Sequence, residues 1–292
     1  MKIKKKEAIV DILGGFGNQL FQLSFANYLR SKDYKVLINL YNFRRVSKEK
    51  NSIITNRELM LPLEYFGFQE VNYNKFIKYD LIDKLKLNNS NIIMSDKFIG
   101  KNLSWFNDTN FDLDKSSKFN RFTGYWQNLE ILNKNKDFLI KGLSKNKQIQ
   151  EALDFKPVSG STALHVRRTD YISMGENLNE EYYKSSIEYG KKNIKNFHYE
   201  IFTDDEAWVS KKDIFRDAEK LNPFIDNKEN TINSFADMLK NENFIMANSS
   251  FSFFASFLKE VKDSKVLYPD PWFKKQPAKT LSKNNWIPIK NN

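Results

Sequence analysis

The chain has 292 residues, a formal net charge of +11, 40% hydrophobic residues and no cysteine. This length suits two compact α/β domains, and the composition is that of a folded protein. No stretch approaches the roughly 20 apolar residues that cross a bilayer, and the lack of cysteine excludes disulfides and thiolate metal sites. We therefore expect a cytoplasmic globular protein.

The positive charge has more than one interpretation. Much of it is lysine scattered among polar residues, so a solvated basic surface is the default interpretation. The same charge would also attract an anionic substrate, a nucleic acid or the cytoplasmic face of a membrane, to which the protein would bind peripherally. Charge alone does not distinguish these partners.

The first part of the chain begins as an α/β unit. The apolar run from Ala8 to Leu13 predicts a strand, Gly14 to Gly17 a tight turn, and the helical spacing of apolar residues as far as Leu29 a helix. Lys35 to Leu40 predicts the next strand. Between about residues 42 and 120 the pattern indicates no clear element.

The second half alternates strands with helices. Amphipathic helical segments separate predicted strands at Thr162–Arg167, Tyr199–Thr203, Phe244–Ala247 and Lys265–Tyr268. This alternation indicates parallel sheets with helices on both faces. The polar segment Lys141–Ser161 predicts the domain boundary, and we place the two domains at residues 1–155 and 156–292.

A glycine-rich turn separates the first strand from the first helix. Glycine lets the backbone approach a ligand closely, and the helix N-terminus attracts anions. The dinucleotide-binding fingerprint requires glycine three residues after Gly17, where this chain has Leu20. The turn is therefore equally consistent with a structural role and with a ligand loop that ends in Asn18 and Gln19.

A basic cluster follows the strand at Thr162–Arg167, where ligands bind in open α/β sheets. Strand alternation places His165 and Arg167 on one face and Arg168 on the other. Arginine suits bidentate phosphate binding, and Asp170 could hold one arginine in place. The alternative is an Arg–Asp pair that only closes the strand end. Two adjacent arginines beside one of only two histidines favour function.

Two more polar clusters follow predicted strands. Asp204 and Asp205 could accept hydrogen bonds from ribose or guanine, or they could cap the next helix. The segment after Ala247 could cap a helix or cradle a phosphate with hydroxyl and backbone donors. Its members are Asn248, Ser249, Ser250 and Phe251, and Asp237 precedes them on a predicted helix.

The sequence predicts no metal site. Asp112 and Asp114 have the Asp-x-Asp spacing of metal-dependent glycosyltransferases, but this tripeptide is frequent by chance and we assign it to the surface. Asp204 and Asp205 are adjacent and lack that spacing. The clusters that follow strands all fall at the carboxyl ends, as a nucleotide cleft between two such sheets would require.

These motifs resemble glycosyltransferase family 11, the α-1,2-fucosyltransferases. The family pattern Gly-Gly-Leu-Gly-Asn-Gln is similar to Gly14–Gln19, and His-x-Arg-Arg-x-Asp-Tyr is matched by His165–Tyr171. Ser/Thr-Asp-Asp is matched by Thr203–Asp205, and Gly124–Gln127 resembles a further family segment. Ala-Asn-Ser-Ser-Phe-Ser-Trp-Trp is matched from Ala247 to Ser252, after which two phenylalanines replace the tryptophans. The resemblance covers nearly the whole chain.

The resemblance implies a GT-B-like fold of two facing Rossmann-type domains, with the acceptor on the N-terminal side. It implies inverting, metal-independent transfer of L-fucose from the co-substrate GDP-β-L-fucose to the 2-hydroxyl of a galactose-terminated glycan, as in O-antigen or capsule biosynthesis. No cofactor is expected. His165 and Asp237 would lie by the guanine, Arg167 or Arg168 at the pyrophosphate with Ser249 and Ser250, and Asn18 by the donor sugar or phosphates.

Several alternatives stay open at this point. The acceptor hydroxyl needs a proton acceptor, for which Asp170, Asp11 and Glu176 are equal candidates. The same scaffold could use another nucleotide sugar, acceptor or linkage. A non-catalytic protein that binds nucleotides or nucleic acids is a more distant alternative, and none of the common nucleic-acid-binding motifs is present.

Overall fold

The computed structural model describes residues 6–44, 58–72, 74, 77, 90–94, 119–224, 227–275 and 280–291. The chain divides into two compact units, Met1–Leu143 and Ser144–Asn292, and each has its own parallel β-sheet. The prediction of an α/β fold with parallel sheets is therefore confirmed. Asp112 and Asp114 lie outside the described residues. Within these ranges, no helix has the length and apolar character needed to cross a bilayer.

The N-terminal unit is a parallel sheet with the strand order β2-β1-β4-β3. Its elements are β1 (Lys6–Asp11), α1 (Phe16–Ser31), β2 (Tyr34–Asn39), α2 (Tyr41–Arg44), a 3₁₀ turn (Leu63–Phe66), β3 (Ser90–Met94), β4 (Phe119–Thr123), α3 (Leu129–Lys134) and α4 (Lys136–Leu143). Helix α1 buries Leu20, Phe21, Phe25 and Leu29, the apolar positions whose spacing predicts it. Strands β1 and β4 are neighbours, so the loops that follow them meet at one edge.

The C-terminal unit is a six-stranded parallel sheet with the order β10-β9-β8-β5-β6-β7. Its elements are α5 (Lys147–Asp154), β5 (Ser161–Val166), α6 (Thr169–Met174), α7 (Glu180–Asn193), β6 (His198–Thr203), α8 (Glu206–Val209), a 3₁₀ turn (Asp213–Phe215), β7 (Lys220–Pro223), α9 (Lys228–Met238), β8 (Asn243–Ile245), α10 (Ser250–Lys259), β9 (Val266–Asp270) and β10 (Ile287–Lys290). This order is that of a doubly wound Rossmann sheet, and it reverses between β5 and β8. Ligands bind at the carboxyl ends of the strands at such a reversal.

Strand β5 lies in the middle of this sheet and all six of its residues are buried. Leu164 and Val166 pack into an apolar cluster with Tyr182, Tyr183 and other residues of α7 and the neighbouring strands. His165, which alternates with them, faces the aromatic rings of other elements. A strand that is buried on both faces is typical of a parallel sheet covered by helices.

The boundary between the units lies within the predicted segment Lys141–Ser161 but before the division that we place at residues 155 and 156. It lies between Leu143 and Ser144, so α5 belongs to the C-terminal unit. The Lys259 ammonium group on α10 donates hydrogen bonds to the carbonyl oxygens of Ala152 and Leu153, both at 2.8 Å, and to that of Phe155. Because these carbonyls end α5, the lysine anchors that helix to its own unit.

Candidate active site

Arg167 lies directly after β5, at the reversal point of the C-terminal sheet. Its two terminal guanidinium nitrogens form ion pairs with Asp170 at 2.8 Å and Asp204 at 3.0 Å. Burial alone would lower the pKa of this guanidinium, but the carboxylates of Asp204 and Asp170 outweigh it and raise the pKa above its ordinary value. Arginine has five N–H donors, so a fixed cation with further donors lies at this edge.

Asp204 holds the loop between β5 and α6 from the end of the neighbouring strand β6. One carboxylate oxygen accepts a hydrogen bond from the backbone N–H of Arg168 at 2.8 Å. The other accepts from the Thr169 hydroxyl at 2.6 Å and pairs with Arg167. The carboxylate that the sequence suggests for donor binding is therefore engaged with the loop that carries the arginines.

Arg168 lies in a different environment from Arg167. Its Nε donates to Asp205 at 3.0 Å, and its guanidinium carbon lies 3.9 Å from the centre of the Trp208 ring. Asp205 also accepts the backbone N–H of Trp208 and thereby caps α8. Trp208 packs against the Tyr183 side of the sheet. Sequence reasoning missed Trp208, although its position three residues after the predicted cap residue is a usable signal.

His165 is buried among aromatic rings, on the face of β5 opposite to Leu164 and Val166. Its ring centre lies 5.7 Å from that of Phe251 and 6.1 Å from that of Phe224. Neither ring nitrogen has a hydrogen-bond partner within the described structure. Burial, and secondarily the charge of Arg167, lower the pKa of His165 to about 3. The imidazole is therefore neutral at physiological pH, with two unsatisfied polar atoms beside stacked rings. Phe224, which follows β7, was not predicted for this site.

The loop between β8 and α10 contacts helix α6, which follows the arginines. The Tyr171 hydroxyl donates to the carbonyl oxygen of Asn248 at 3.0 Å. Ser249 accepts the backbone N–H of Phe251 and caps α10, as its sequence position predicts. Ser250 is the first residue of that helix. The structure thus brings the two predicted motifs together at the sheet reversal.

The three candidates for the catalytic base differ in their contacts. The Glu176 carboxylate is buried and accepts the backbone N–H groups of Lys274 at 2.7 Å and Lys275 at 2.9 Å. The backbone carbonyl of Glu176 also accepts the amide of Asn248, a residue predicted to bind the donor. Both side chains therefore connect loops of the protein.

Asp11 belongs to the N-terminal unit and is equally engaged. Its carboxylate accepts hydrogen bonds from Asn39 at 2.7 Å, from Arg121 at 2.8 to 3.2 Å, and from the Thr123 hydroxyl. By contrast, the side chain of Asp170 is 27% exposed beside Arg167. Of the three carboxylates, Asp170 is the one that the structure places at the edge with the arginines.

Asp237 does not join this edge, contrary to the role that the resemblance implies. It is the penultimate residue of α9 and forms an exposed ion pair with Lys240 at 2.7 Å. Lys240 precedes the amino end of β8, so the pair lies at the opposite edge of the parallel sheet from the arginines. Among the described side chains there is also no group of three or more candidate metal ligands.

The glycine turn of the N-terminal unit is held by buried glutamines. Gln19 donates to the carbonyl oxygens of Gly14 and Glu58 and accepts the backbone N–H of Met60. Its amide is therefore committed to the turn, although the sequence suggests a ligand contact. Gln22, which was not predicted, accepts the backbone N–H of Leu13 and supports the turn from the helix side.

The loop after β4 lies against this glycine turn. Gln22 donates to the carbonyl oxygen of Gly124 at 2.8 Å, and Gln127 donates to the side-chain oxygen of Asn18 at 2.9 Å. Gly14 has a φ of +77°, and a Cβ there would lie 3.1 Å from the Tyr125 ring. The segment Gly124–Gln127, noted in the sequence, and the glycine turn thus form one structure.

Comparisons of the sequence with known proteins agree on a class of enzyme. The family model described as Glycosyl transferase family 11 matches residues 9–290. An α-1,2-colitosyltransferase from Escherichia coli is 27% identical, with 96% of this chain and 98% of that protein aligned. The O-antigen biosynthesis glycosyltransferase WbnK, also from Escherichia coli, is 26% identical over 56% of this chain and 58% of that protein.

Two solved structures have a distant similarity to this chain. POFUT1 in complex with GDP is 11% identical, covers 90% of this chain and 98% of its own, and has a TM-score of 0.47. The fucosyltransferase NodZ from Bradyrhizobium is 12% identical, covers 88% of this chain and 94% of its own, and has a TM-score of 0.45. Scores below 0.5 describe a distant similarity only.

Proposed function

The chain belongs to glycosyl transferase family 11, as its motifs predict, and we propose that it transfers L-fucose from GDP-β-L-fucose to the 2-hydroxyl of a terminal β-galactoside. Transfer would proceed in one inverting displacement without a metal ion. The observation that best supports this proposal is Arg167, which two carboxylates fix at the reversal of a doubly wound sheet. A diphosphate leaving group needs a cation at such a place.

Arg167 would act on the leaving group. As the bond between fucose and phosphate breaks, the sugar becomes oxocarbenium-like and negative charge grows on the departing GDP. A guanidinium at the β-phosphate therefore stabilises the transition state more than the ground state. The ion pairs with Asp170 and Asp204 hold the cation in place before the substrate arrives, so no reorganisation is needed during the reaction.

Arg168 would support Arg167. Its side chain is engaged by Asp205 and the Trp208 ring, and its backbone N–H by Asp204. These contacts fix the loop that carries both arginines. We assign the phosphate contact to Arg167, because its guanidinium carbon lies 5.8 Å from the centre of the Tyr171 ring, and the Tyr171 hydroxyl contacts Asn248, just before α10.

The aromatic group around His165 would hold the guanine. Phe224 and Phe251 have ring centres 5.6 Å apart at an angle of 27°, and the neutral imidazole lies beside both. Purine rings stack on aromatic side chains, and an unprotonated imidazole can exchange a hydrogen bond with a base edge. Ser249 and Ser250, at the start of α10, would add donors for the phosphates.

Asp170 is the candidate we favour for accepting the proton of the acceptor hydroxyl. It is partly exposed beside the arginines. The carboxylates of Glu176 and Asp11 are buried, and each accepts several hydrogen bonds from the protein. A base must be within hydrogen-bond reach of the proton that it removes. Asp170 would also keep Arg167 in position. Because a substitution of Asp170 would remove both the proton acceptor and the partner of Arg167, only the pH dependence of kcat distinguishes these two roles.

A second candidate function is transfer of colitose in place of fucose. The observation that favours it is the α-1,2-colitosyltransferase that is 27% identical over nearly the whole of both chains. Colitose is L-fucose without the 3-hydroxyl group, so the same diphosphate and guanine contacts would serve both donors. The two reactions differ only in how the site treats one hydroxyl group.

The test is a transfer assay with GDP-fucose and GDP-colitose, a panel of β-galactoside acceptors, and EDTA. We expect product from one donor with EDTA present, a 1,2 linkage by product analysis, and loss of product in Arg167→Ala. Arg216→Ala is the matched control, because that side chain is 80% exposed. Transfer that requires a divalent cation, or product with both arginine variants, would contradict the proposal.

A further inference from the structure

Gln127 makes a hydrogen bond that fixes the orientation of another amide. Its Nε2 donates to the Oδ1 of Asn18 at 2.9 Å. Gln127 is buried and Asn18 half-buried, so this contact is shielded from competition with water. The two residues are 109 positions apart, in the loop after β4 and in the first turn of α1.

The backbone around Gln127 is held rigidly. Trp126 has a φ of +55°, a conformation that non-glycine residues rarely adopt. Its buried ring stacks on Phe25 with centres 4.0 Å apart and an angle of 6°. On the other side, Asn128 caps α3 by accepting the backbone N–H of Ile131. Packing thus maintains an unfavourable backbone angle that places Trp126 in the core and Gln127 beside Asn18.

This hydrogen bond sets which end of the Asn18 amide faces the glycine turn. The Oδ1 atom only accepts and the Nδ2 atom only donates. Because Oδ1 faces Gln127, Nδ2 points to the turn, where it would lie 3.0 Å from a Cβ built on Gly14. Gly14 therefore leaves room for the amide group beside the turn, at the carboxyl edge of the N-terminal sheet.

We propose that Gln127 is a positioning residue that presents the Asn18 side chain as an N–H donor to an oxygen atom of the GDP-sugar. This inference rests on the proposed function, since it requires Asn18 to contact the donor substrate. Without Gln127 the amide can rotate by half a turn and offer its oxygen instead. An amide oxygen would repel a phosphate oxygen, which only accepts hydrogen bonds, so for a phosphate contact the orientation determines whether Asn18 helps or hinders.

The test compares variants of similar size by kcat and KM for the sugar nucleotide. In Gln127→Glu the carboxylate can only accept, so it attracts Nδ2 and turns the Asn18 oxygen outward. We expect a loss of roughly tenfold or more in kcat/KM, against about 10²-fold for Asn18→Ala, by analogy with the loss of one catalytic donor. Gln150→Glu makes the same change at an exposed position of α5 and should leave kcat/KM unaltered.

The double variant separates positioning from a general structural role. If Gln127 acts through Asn18, Gln127→Glu should change kcat/KM less than about twofold in the Asn18→Ala background, because coupled residues are non-additive. The proposal would be overturned if the losses in kcat/KM of the two single variants added up in the double variant. It would also be overturned if Gln127→Glu lowered kcat/KM only in proportion to a lower melting temperature. Affinity for GDP-fucose, measured by calorimetry on the same variants, supplies the same comparison without turnover.

These outcomes are distinct from failure of the proposed function. If wild-type protein binds GDP-fucose and Asn18→Ala binds it equally well, the positioning role is wrong while the transferase assignment stands. If wild-type protein neither binds nor transfers any GDP-sugar, both are wrong. If Asn18→Ala weakens binding and Gln127→Glu does not, Asn18 contacts the donor without help from Gln127, and the positioning role is again wrong.

Discussion

The two parallel sheets carry different chemistry at their carboxyl edges. In the C-terminal unit the edge is charged, with Arg167 and Arg168 held by three aspartates. In the N-terminal unit the glycine turn is held by the neutral amides of Gln19, Gln22 and Gln127. The N-terminal edge also has a buried ion pair between Asp11 and Arg121, 2.8 Å apart, but the glycine turn itself is held by amides. We infer that the first edge stabilises charge and the second orients a neutral group.

The largest expected effect is on kcat/KM, when Arg167 and Arg168 at the charged edge are replaced by lysine in separate variants. Lysine keeps the charge but cannot pair with two carboxylates in the planar geometry of a guanidinium. Arg167→Lys should lower kcat/KM for the GDP-sugar roughly 10²-fold or more, as for a lost transition-state contact. Arg168→Lys should cost only about tenfold, because that side chain acts through Asp205 and Trp208. Equal losses would contradict the division of roles between the two arginines.

Next in size is the effect of Asp204→Asn on stability. The Asp204 and Arg167 side chains are 6% and 10% exposed, and removing one partner of a buried pair costs roughly 3 kcal/mol. Asp217→Asn is the matched control, because both side chains of the Asp217–Lys191 pair are 53% exposed and such exposed pairs contribute little to stability. Denaturant unfolding measures both. Similar losses would show that Asp204 is not the anchor of the loop.

At the neutral edge we compare two glycines with the same backbone conformation. Gly14 and Gly67 have φ values of +77° and +67°, but a Cβ would meet Asn18 at 3.0 Å in the first case and nothing closer than 3.8 Å in the second. Gly67→Ala should therefore cost only the backbone strain, about 1 kcal/mol. Gly14→Ala should cost about 1 kcal/mol more through crowding and should also lower activity. Thermal unfolding measures the stability of both variants and the transfer assay their activity. Equal losses of stability and activity in the two variants would contradict this prediction.

Near neutral pH, the smallest expected effect is the pH dependence of stability from His165. The pKa of this imidazole is about 3 in the folded protein, against an ordinary value of 6.5, so below pH 6.5 the unfolded chain binds a proton that the folded chain does not. The free energy of unfolding should therefore decrease as the pH falls below 6.5 and level off near pH 3, because of this residue. In His165→Phe this component should be absent. Parallel curves for the two proteins would contradict the buried neutral imidazole.

Much of the site follows from strand ends. Periodicity locates β5, and alternation then separates His165 and Arg167 from Arg168, as the structure does. The carboxyl-end rule also brings the segment Asn248–Phe251 to the same edge. These inferences use local pattern and one topological rule, so a single sequence suffices for them.

Some predicted site residues make contacts that the sequence did not predict, and the first reason is that contacts between distant residues have no local signal. Gln19 is a ligand residue by motif, yet its amide binds the backbone at Glu58 and Met60, about 40 positions away. Asp237 was assigned by resemblance, and it lies near the end of α9, by the amino end of β8 and away from the arginines. Strand β7 is too short and polar for its spacing to predict it, and with it Phe224 was missed.

The most direct measurement is calorimetry of wild-type protein with GDP, GMP and guanosine. If the charged edge of the C-terminal unit binds the diphosphate, affinity should decrease in that order, and Arg167→Ala should remove most of the difference between GDP and guanosine. Similar affinities for all three ligands, or no binding of GDP, would contradict the assignment of that edge as the nucleotide-sugar site.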